Sequence, residues 1–511
     1  MNNPFSRGIQ MLRIGWGARK AGQAHSDAER LLAQRALSAM FAGARGVTMK
    51  VGQLFADTDS DNPFRQLLDN IEPLPLASIL PFIESQLGHP WQQSFRHIEE
   101  AHAAASLGQV HHAILLDDRE VALKVRYPDI ADAVNAELKL AGLMPGVGPV
   151  KKWGIDLDAY KTVLKTNMDQ ELDYLSEARR QSDYAQQVQV TGLHTPEIIE
   201  EYCRSGLLVQ SWEQGSKLDE TIHWPIPARQ ELGKILIRTL FSSLFKAGLV
   251  HGDPHMGNYF FRQNPAPGVV LLDYGCTIEV SKTARLALLK FILALREDRD
   301  ISPLQAFAAM GFDAQKLAYI KISLPLISRI LFRPFLSEQA LRMQDWKVKQ
   351  PMTQLLGEQR WWFRSAGPAN LLLLMRAFQG LEQQLETLQV YQPWWPLLRE
   401  SVGDELLQQA RDFVLPPLPE GLEQGPGLKA IAETLYVEVL KNGAPHVKVS
   451  LPAEAAMDLA SLIPEDVLKQ LESSSDIDLE AIQQRIYDSG IAAQMVFEYQ
   501  HGEKTYRVWL K

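Results

Sequence analysis

The sequence has few of the features that assign a protein to a class at once. It contains only two cysteines, Cys203 and Cys276, in 511 residues, which excludes a disulfide framework and favours a reducing compartment. No segment reaches the roughly 18 uninterrupted apolar residues of a membrane span, because the best candidate, Leu317–Leu336, contains three basic residues. An excess of positive charge is also missing, since 61 Asp and Glu outnumber 52 Lys and Arg. The formal net charge of −9 argues against a molecule built to attract nucleic acid.

The amino-terminal residues carry three arginines, Arg7, Arg13 and Arg19, among apolar side chains, and no long apolar stretch follows them. This pattern does not match a secretory signal. We therefore expect a cytoplasmic protein without a nucleic-acid partner. A peripheral contact of the amino-terminal helix with the inner face of the membrane is kept as the alternative to simple packing.

Composition and periodicity divide the chain into three predicted parts. Residues 1–94 read as helices, 95–413 as short strands followed by helices, and 428–511 as a small α+β module. Between the last two parts lies Val414–Gly427, which is rich in Pro and Gly and typical of a linker. In the last module, Asn442-Gly443 between two alternating runs predicts a β-hairpin.

The segment His251–Asn258, HGDPHMGN, is here called the HGD loop. Asp253 and Asn258 lie five residues apart, and Asp273 follows at the end of an apolar run, in Asp273–Gly275, the DYG loop. Phosphoryl transfer needs one carboxylate for the acceptor proton, and an Asn oxygen and a second carboxylate to hold Mg²⁺ against the phosphates. The spacing H-x-D-x-x-x-x-N followed by D-x-G is typical of kinase-like folds and predicts a site for ATP or ADP with Mg²⁺.

A cation for the phosphates and a carboxylate to hold it are also present. Lys124 stands in a V-A-L-K run, the setting of the phosphate-binding lysine in kinases. One continuous helical pattern further on carries three carboxylates, Glu171, Asp173 and Glu177. Because Glu171 and Glu177 are six residues apart, we expect them to project in different directions and to serve two lysines. The candidate for the second lysine is Lys50.

A glycine-rich phosphate loop is missing from its expected place. Instead of G-x-G-x-x-G, the chain has an alanine-rich stretch, His102–Val110, with glycine only at Gly108. Alanine allows the backbone to approach a phosphate but is less permissive than glycine. The expected nucleotide-loop residues are Ala103, Ala104, Ala105 and Ser106.

Taken in order, these motifs resemble those of the AarF/UbiB family of atypical kinase-like proteins, whose eukaryotic members support coenzyme Q biosynthesis. The resemblance covers roughly residues 40–400. The family's markers are matched in chain order by Lys50–Gln53 (K-x-G-Q), Ala103–Ser106 (nucleotide loop), Lys124, Glu171–Asp173 (E-x-D), Glu177, the HGD loop and Asp273. Met256 and Tyr274 depart from the family's usual proline and phenylalanine, but neither change removes a catalytic atom.

The resemblance implies a two-lobed, protein-kinase-like α+β fold, with an N-lobe at about 95–213 and a C-lobe at about 214–413. A helical extension would precede the lobes and the small carboxyl-terminal module would follow them. The resemblance further implies that Lys124, held by Glu177, contacts the nucleotide phosphates. It assigns Mg²⁺ to Asn258 and Asp273, and the role of base to Asp253.

In this family the K-x-G-Q helix lies over the active site, where Lys50 can pair with Glu171. Gln53 and Asp173 would belong to the same gate. Such a gate would restrict access for a protein substrate. It would leave Mg-dependent ATP hydrolysis, or transfer to a small-molecule or lipid acceptor in isoprenoid-quinone or other lipid metabolism.

Three alternatives stay open. A phosphotransferase of the aminoglycoside or choline kinase type shares H-x-D-x-x-x-x-N, but Lys50–Gln53 and the alanine-rich loop argue against it. A non-catalytic scaffold switched by nucleotide is the second; the intact set of catalytic-type residues argues against a complete loss of chemistry. The third is a zinc site at His251 and His255 with Asp253. No further ligand set with the spacing of a metal site stands out in the sequence to complete it.

Overall fold

The computed structural model describes residues 73–104, 107–128, 130, 157–346, 348–428, 432, 434–459, 463, 478–489 and 491–511. The K-x-G-Q segment, with Lys50 and Gln53, lies outside these ranges, as do Ala105 and Ser106 of the nucleotide loop. The predictions made for these four residues therefore stay predictions.

The strands of the described residues form antiparallel and mixed sheets. In chain order they are β1 Phe95–Ala104, β2 Gly108–Leu115, β3 Glu120–Arg126, β4 Leu193–His194, β5 Leu207–Ser211, β6 Leu249–His251, β7 Tyr259–Arg262, β8 Gly268–Leu271, β9 Thr277–Glu279, β10 Thr434–Lys441, β11 Ala444–Pro452, β12 Gln494–His501 and β13 Lys504–Leu510. The N-lobe sheet has the order β1-β2-β3-β5. A small sheet of order β4-β8-β7 joins β4, from the predicted N-lobe range, to two strands of the C-lobe, and β6-β9 form a second small sheet. The carboxyl-terminal sheet has the order β11-β10-β13-β12.

The α-helices alternate with these strands and dominate the C-lobe. They are α1 Leu76–Leu87, α2 Leu157–Leu172, α3 Tyr174–Gln187, α4 Ile226–Phe241, α5 Lys282–Arg296, α6 Pro303–Ala309, α7 Ala314–Ala318, α8 Leu324–Phe332, α9 Lys349–Leu356, α10 Arg360–Ala366, α11 Leu371–Leu388, α12 Trp394–Asp412 and α13 Leu479–Ser489. The apolar run Leu317–Leu336 is divided between α7 and α8. None of the helices in the described part of the chain has both the length and the apolar character needed to cross a bilayer.

Strand β1 was not anticipated from the sequence. It lacks the strict alternation of a half-buried strand, because its pairing with β2 shifts register between Phe95 and His97, between Ile98 and Ala101, and between Ala101 and Ala103. Each shift changes which side chains face the core, so a period of two is hidden in the sequence.

The prediction of one continuous helix across the E-x-D motif was wrong. The helix breaks at Asp173, which has an extended backbone (φ −109°, ψ 94°) and whose side chain accepts a hydrogen bond from the Leu175 N–H. Aspartate is a favourable N-cap because its carboxylate satisfies an amide that the first turn leaves without a partner. The break separates α2, which ends with Glu171 and Leu172, from α3, which begins at Tyr174.

Apolar cores hold these parts together. In the N-lobe, β3 contributes the fully buried Leu123 and packs in one cluster with α1 and α3. In the C-lobe, α4, α11 and α12 share a second cluster around the fully buried Trp394. The carboxyl-terminal sheet shares a third with α5 to α8, where Leu435 and Leu510 join Leu317. The module thus packs on the C-lobe helices, while the predicted domain boundaries stay predictions.

The predicted Asn442-Gly443 hairpin appears where it was expected. Asn442 and Gly443 both have positive φ, 52° and 79°, as a two-residue turn between β10 and β11 requires. Gly248, with φ 74°, ends the helical run that starts at α4. The last part of that run, Ser242–Ala247, is a π-helix, a feature that hydrophobic periodicity did not predict.

Candidate functional site

Lys124 lies in the middle of β3 within a cluster of charged side chains. Its Nζ is 2.7 and 3.0 Å from the two carboxylate oxygens of Glu177 and 2.9 Å from Oδ2 of Asp273. The ammonium also lies 5.0 Å from the centroid of the Tyr174 ring. The Glu177 side chain is only 2% exposed and that of Lys124 14%. Three residues predicted separately from motifs are therefore in direct contact.

Burial and charge act against each other in this cluster. Burial would raise the pKa of Asp273, but the charge of Lys124 and the hydrogen bond from Gly275 hold it below its ordinary value. For the more deeply buried Glu177, burial prevails and raises the pKa despite Lys124. Burial would lower the pKa of Lys124, but the charges of Asp273 and Glu177 raise it well above its ordinary value. The two carboxylates therefore keep Lys124 charged.

The DYG loop is fixed in place by helix α3 as well as by Lys124. Asp273 Oδ1 accepts a hydrogen bond from the Gly275 N–H at 2.8 Å. Arg180, one turn after Glu177 on α3, donates to the carbonyls of Tyr274 at 3.2 Å and Gly275 at 3.3 Å. The same helix thus holds both the β3 lysine and the loop that carries Asp273.

Backbone hydrogen bonds connect the HGD loop and the DYG loop. Strands β6 and β9, which lead into one loop and out of the other, pair with His251 opposite Thr277. The Gly252 N–H donates to the Cys276 carbonyl at 2.9 Å, and His251 Nε2 lies 2.6 Å from the Asp273 carbonyl oxygen. The two segments are therefore one structural unit, and Asp253 is close enough to Asp273 for its charge to oppose ionisation of that carboxylate.

The side chains of Asn258 and Asp273 suit a hard cation. The Asn258 amide nitrogen donates to the Asp253 carbonyl at 3.3 Å, which leaves the amide oxygen turned away from that carbonyl. Oxygen ligands of this kind are those Mg²⁺ prefers. His251, in contrast, is turned to the DYG backbone, and within the described ranges no three or more His, Cys, Asp or Glu side chains are grouped to hold a metal ion.

The prediction that Glu171 and Glu177 project in different directions was wrong. A Cβ placed on Gly275 would lie 3.3 Å from Cγ of Glu171 and 3.7 Å from Oε2 of Glu177, so both side chains meet at the DYG loop. The reason is the helix break at Asp173, which changes the direction of the chain between the two glutamates. Glu171 is buried, at 8% exposed, whereas Asp173 is partly exposed.

The described part of the nucleotide loop lies at the end of the β1–β2 hairpin. Ala103 and Ala104 close β1, opposite Val110 and Gln109 of β2. Gly108 is required here by close approach, because an added Cβ would lie 2.3 Å from the Val125 carbonyl oxygen and 2.7 Å from the Tyr174 hydroxyl.

Helix α11 contributes residues that sequence reasoning missed. Arg376 Nη2 lies 3.6 Å from Asp253 Oδ1, and Gly380 packs directly against Pro254. Burial raises the pKa of the hydroxyl of Tyr259, the residue that follows the HGD loop, and Gln384 lies close enough to oppose this shift. Residues four apart lie on one face of a helix, so a single face of α11 supports the loop. The sequence signal for this support is the spacing of four between these residues. Such spacing is common in helices, so it does not by itself indicate a functional face.

Replacing Gly380 with alanine should destabilise this contact. The new Cβ would lie 1.9 Å from Cβ and 2.7 Å from Cγ of Pro254, and a proline ring cannot rotate away. We expect a cost of about 1–3 kcal/mol, seen as a fall of roughly 2 °C or more in the melting temperature. Glu386→Ala, at an exposed position of the same helix, is the control. Equal melting temperatures for the two variants would contradict the close packing.

Comparisons with known proteins agree with this geometry. The family model described as the ABC1 atypical kinase-like domain matches residues 66–304. The atypical kinase coq-8, mitochondrial, of Caenorhabditis elegans is 28% identical over 245 residues, 46% of this chain and 32% of the relative. The ABC1 family protein C10F6.14c of Schizosaccharomyces pombe is 28% identical over 324 residues, 60% of both chains. The alignments thus span less than two thirds of either relative.

A solved structure, the complex of Rv3197 with erythromycin from Mycobacterium tuberculosis, aligns at 24% identity with a TM-score of 0.48, over 70% of this chain and 92% of that one. The family model is the more informative comparison, because it includes the β1–β2 hairpin, Lys124, the E-x-D motif and both loops. Residues 66–304 match the ABC1 atypical kinase-like domain, and the resemblance to AarF/UbiB proteins that the motifs predicted is confirmed.

Proposed function

We propose that this protein binds ATP with Mg²⁺ and either hydrolyses it or transfers its terminal phosphoryl group to a small molecule or lipid. The observation that carries the proposal is the contact of Lys124 with both Glu177 and Asp273. A buried lysine held between two carboxylates is an arrangement that phosphoryl-transfer sites use to orient a phosphate-binding cation beside a metal-binding carboxylate.

Each residue then has a distinct part. Lys124 contacts the phosphates, and Glu177 fixes its position. Asn258 and Asp273 hold Mg²⁺, which when bound neutralises charge on the phosphate oxygens. Asp253 orients the acceptor hydroxyl or water and accepts its proton. Ala103 to Ser106 cover the nucleotide.

The class of phosphoryl acceptor is inferred from the gate that the K-x-G-Q segment and the E-x-D motif would form. Glu171 is buried next to the DYG loop, where a lysine from the K-x-G-Q segment would be drawn to its charge. With Lys50 paired to Glu171, and Gln53 and Asp173 beside them, the extension would cover the site and exclude a protein substrate. Water, or a small acceptor connected with isoprenoid-quinone or other lipid metabolism, is then preferred over a polypeptide.

Turnover of ATP by the purified chain tests the proposal. We expect ATP hydrolysis that requires Mg²⁺ and stops when the ion is chelated, and stimulation by vesicles or by quinone precursors if these supply the acceptor. The measurement is phosphate release, with nucleotide binding followed separately by calorimetry. If Mg-ATP bound but neither turned over nor modified any acceptor, the nucleotide-switched scaffold would replace the enzyme. If no nucleotide bound, the proposal would fail as a whole.

A further inference from the structure

The HGD loop contains no cation of its own. Its eight residues include neither lysine nor arginine, although the phosphoryl group passing over Asp253 would carry negative charge on its oxygens. The next cation along the chain, Arg262, is held by the Gln214 carbonyl at 2.9 Å and by the Glu213 carboxylate. Lys124 is bound by Glu177 and Asp273 on the N-lobe side. The Asp253 side of the site therefore needs a cation from elsewhere.

Arg376 on helix α11 meets this need. Its guanidinium lies 3.6 Å from Asp253 Oδ1, and the two side chains are only 16% and 12% exposed. At this distance the guanidinium holds the carboxylate mainly by charge, because a hydrogen bond would be shorter. In so protected a site the attraction is screened less than at an open surface.

The position of Arg376 is fixed by the rest of the same helix face. Gly380, one turn later, lies so close to Pro254 that no side-chain atom fits between them, and Gln384, a further turn on, lies near Tyr259. The helix thus contacts the chain at Asp253 and at residues that follow it. A guanidinium mounted on this face has little freedom to leave the site, which is the preorganisation that electrostatic catalysis requires.

The charge balance supports the same role. The carboxylates of Glu171, Glu177, Asp253 and Asp273 surround the site. Lys124 contacts Glu177 and Asp273, and Arg376 faces Asp253. The charge of Arg180 also acts on Glu177, but its guanidinium is held by the backbone carbonyls of the DYG loop. A nucleotide would add further negative charge, of which Mg²⁺ offsets a part.

We infer that Arg376 is a catalytic residue that contacts the phosphoryl group during its transfer, from the side of Asp253. In this step the bond between the γ-phosphorus and the bridging oxygen breaks, and its electron pair stays with ADP. A new bond forms between the phosphorus and the oxygen of water or an alcohol, whose proton passes to Asp253. Arg376 keeps its own protons and stabilises charge on the transferring oxygens. This inference rests on the proposed function, and its test is separable from it.

The test uses ADP with aluminium fluoride, which occupies the place of the transferring group and binds more tightly than ADP where a site is complementary to the transition state. Arg376→Gln should bind Mg-ADP with an affinity within about twofold of wild type. Its affinity for ADP with aluminium fluoride should fall by at least about tenfold, so that most of the gain over ADP alone is lost. Arg376→Lys should recover part of it. Glu386→Gln, exposed on the same helix, is the control.

A purely structural ion pair would give a different result. It would lower the melting temperature of Arg376→Gln yet leave the additional affinity of the fluoride complex intact, and this outcome overturns the inference. A wild-type protein without any additional affinity would overturn it as well. If ATP were not turned over but the fluoride complex still depended on Arg376, the proposed enzyme activity would fail, while the contact of Arg376 with the position of the terminal phosphate would be upheld.

Discussion

Asp273→Asn should weaken binding of Mg-nucleotide by at least about 100-fold, the equivalent of roughly 3 kcal/mol. The change removes the one charge that both faces the proposed metal position and contacts Lys124 at 2.9 Å. The neutral amide keeps the size of the side chain, so the shape of the DYG loop is largely preserved. Lys124 also keeps its two contacts with Glu177. The loss should therefore fall on the metal and the phosphates rather than on folding.

Calorimetric titration with Mg-ADP and with metal-free ADP measures this effect. The affinity for Mg-ADP should fall, while the much weaker metal-free binding should change little or even improve, since a negative charge near the phosphates is removed. Asp404→Asn, on the exposed side of α12, controls for a change of net charge alone. Unchanged Mg-ADP affinity in Asp273→Asn would refute the metal assignment, and an equal loss in Asp404→Asn would show that it is not specific to the site.

Asp253→Asn should keep nucleotide binding and lose turnover, whereas Asp273→Asn should lose the binding itself. The substituted side chain can still orient an acceptor but can no longer accept its proton. We expect nucleotide affinity to stay within about threefold of wild type and turnover to fall by about 10²–10⁴-fold. The neutral side chain also removes the partner of Arg376, so some loss of thermal stability is expected beside the loss of turnover.

Single-turnover measurements on Asp253→Asn separate chemistry from product release. If the variant hydrolysed ATP at the wild-type rate, Asp253 would not be the base, and the reaction would have to proceed by positioning and charge alone. Asp219→Asn, in the exposed turn before α4, is the control. Together, the Asp273 and Asp253 variants distinguish failure of binding from failure of chemistry, which no single variant does.

Much of the site could be predicted from the sequence because its residues stand in short motifs with fixed spacing. The HGD and DYG loops, the β3 lysine and Glu177 each follow from a local pattern. The structure brings Lys124, Glu177 and Asp273 into contact as those patterns indicate. Fold class was likewise accessible, because the motifs in chain order resemble those of a kinase-like family, and the family match confirms the kinase-like fold.

Other features depend on backbone conformation that residue types leave undetermined. The break at Asp173 was not expected, because aspartate occurs both inside helices and at their N-caps, and its surroundings decide which. That break turns Glu171 and Glu177 towards the same glycine. Strand β1 was overlooked for a comparable reason, since its register shifts conceal the alternation of its side chains.

What the sequence determined by itself is the set of reactive groups and the order of the elements that carry them, because local spacing and hydrophobic period act over a few residues. The tertiary structure alone decided which helix supports the HGD loop. Arg376 follows Asp253 by about 120 residues, in a helix with no recognisable motif. Its approach to the carboxylate results from packing of Gly380 on Pro254. A contact between two distant segments depends on the shape and burial of the packed helices. The sequence next to Asp253 or next to Arg376 determines neither of these.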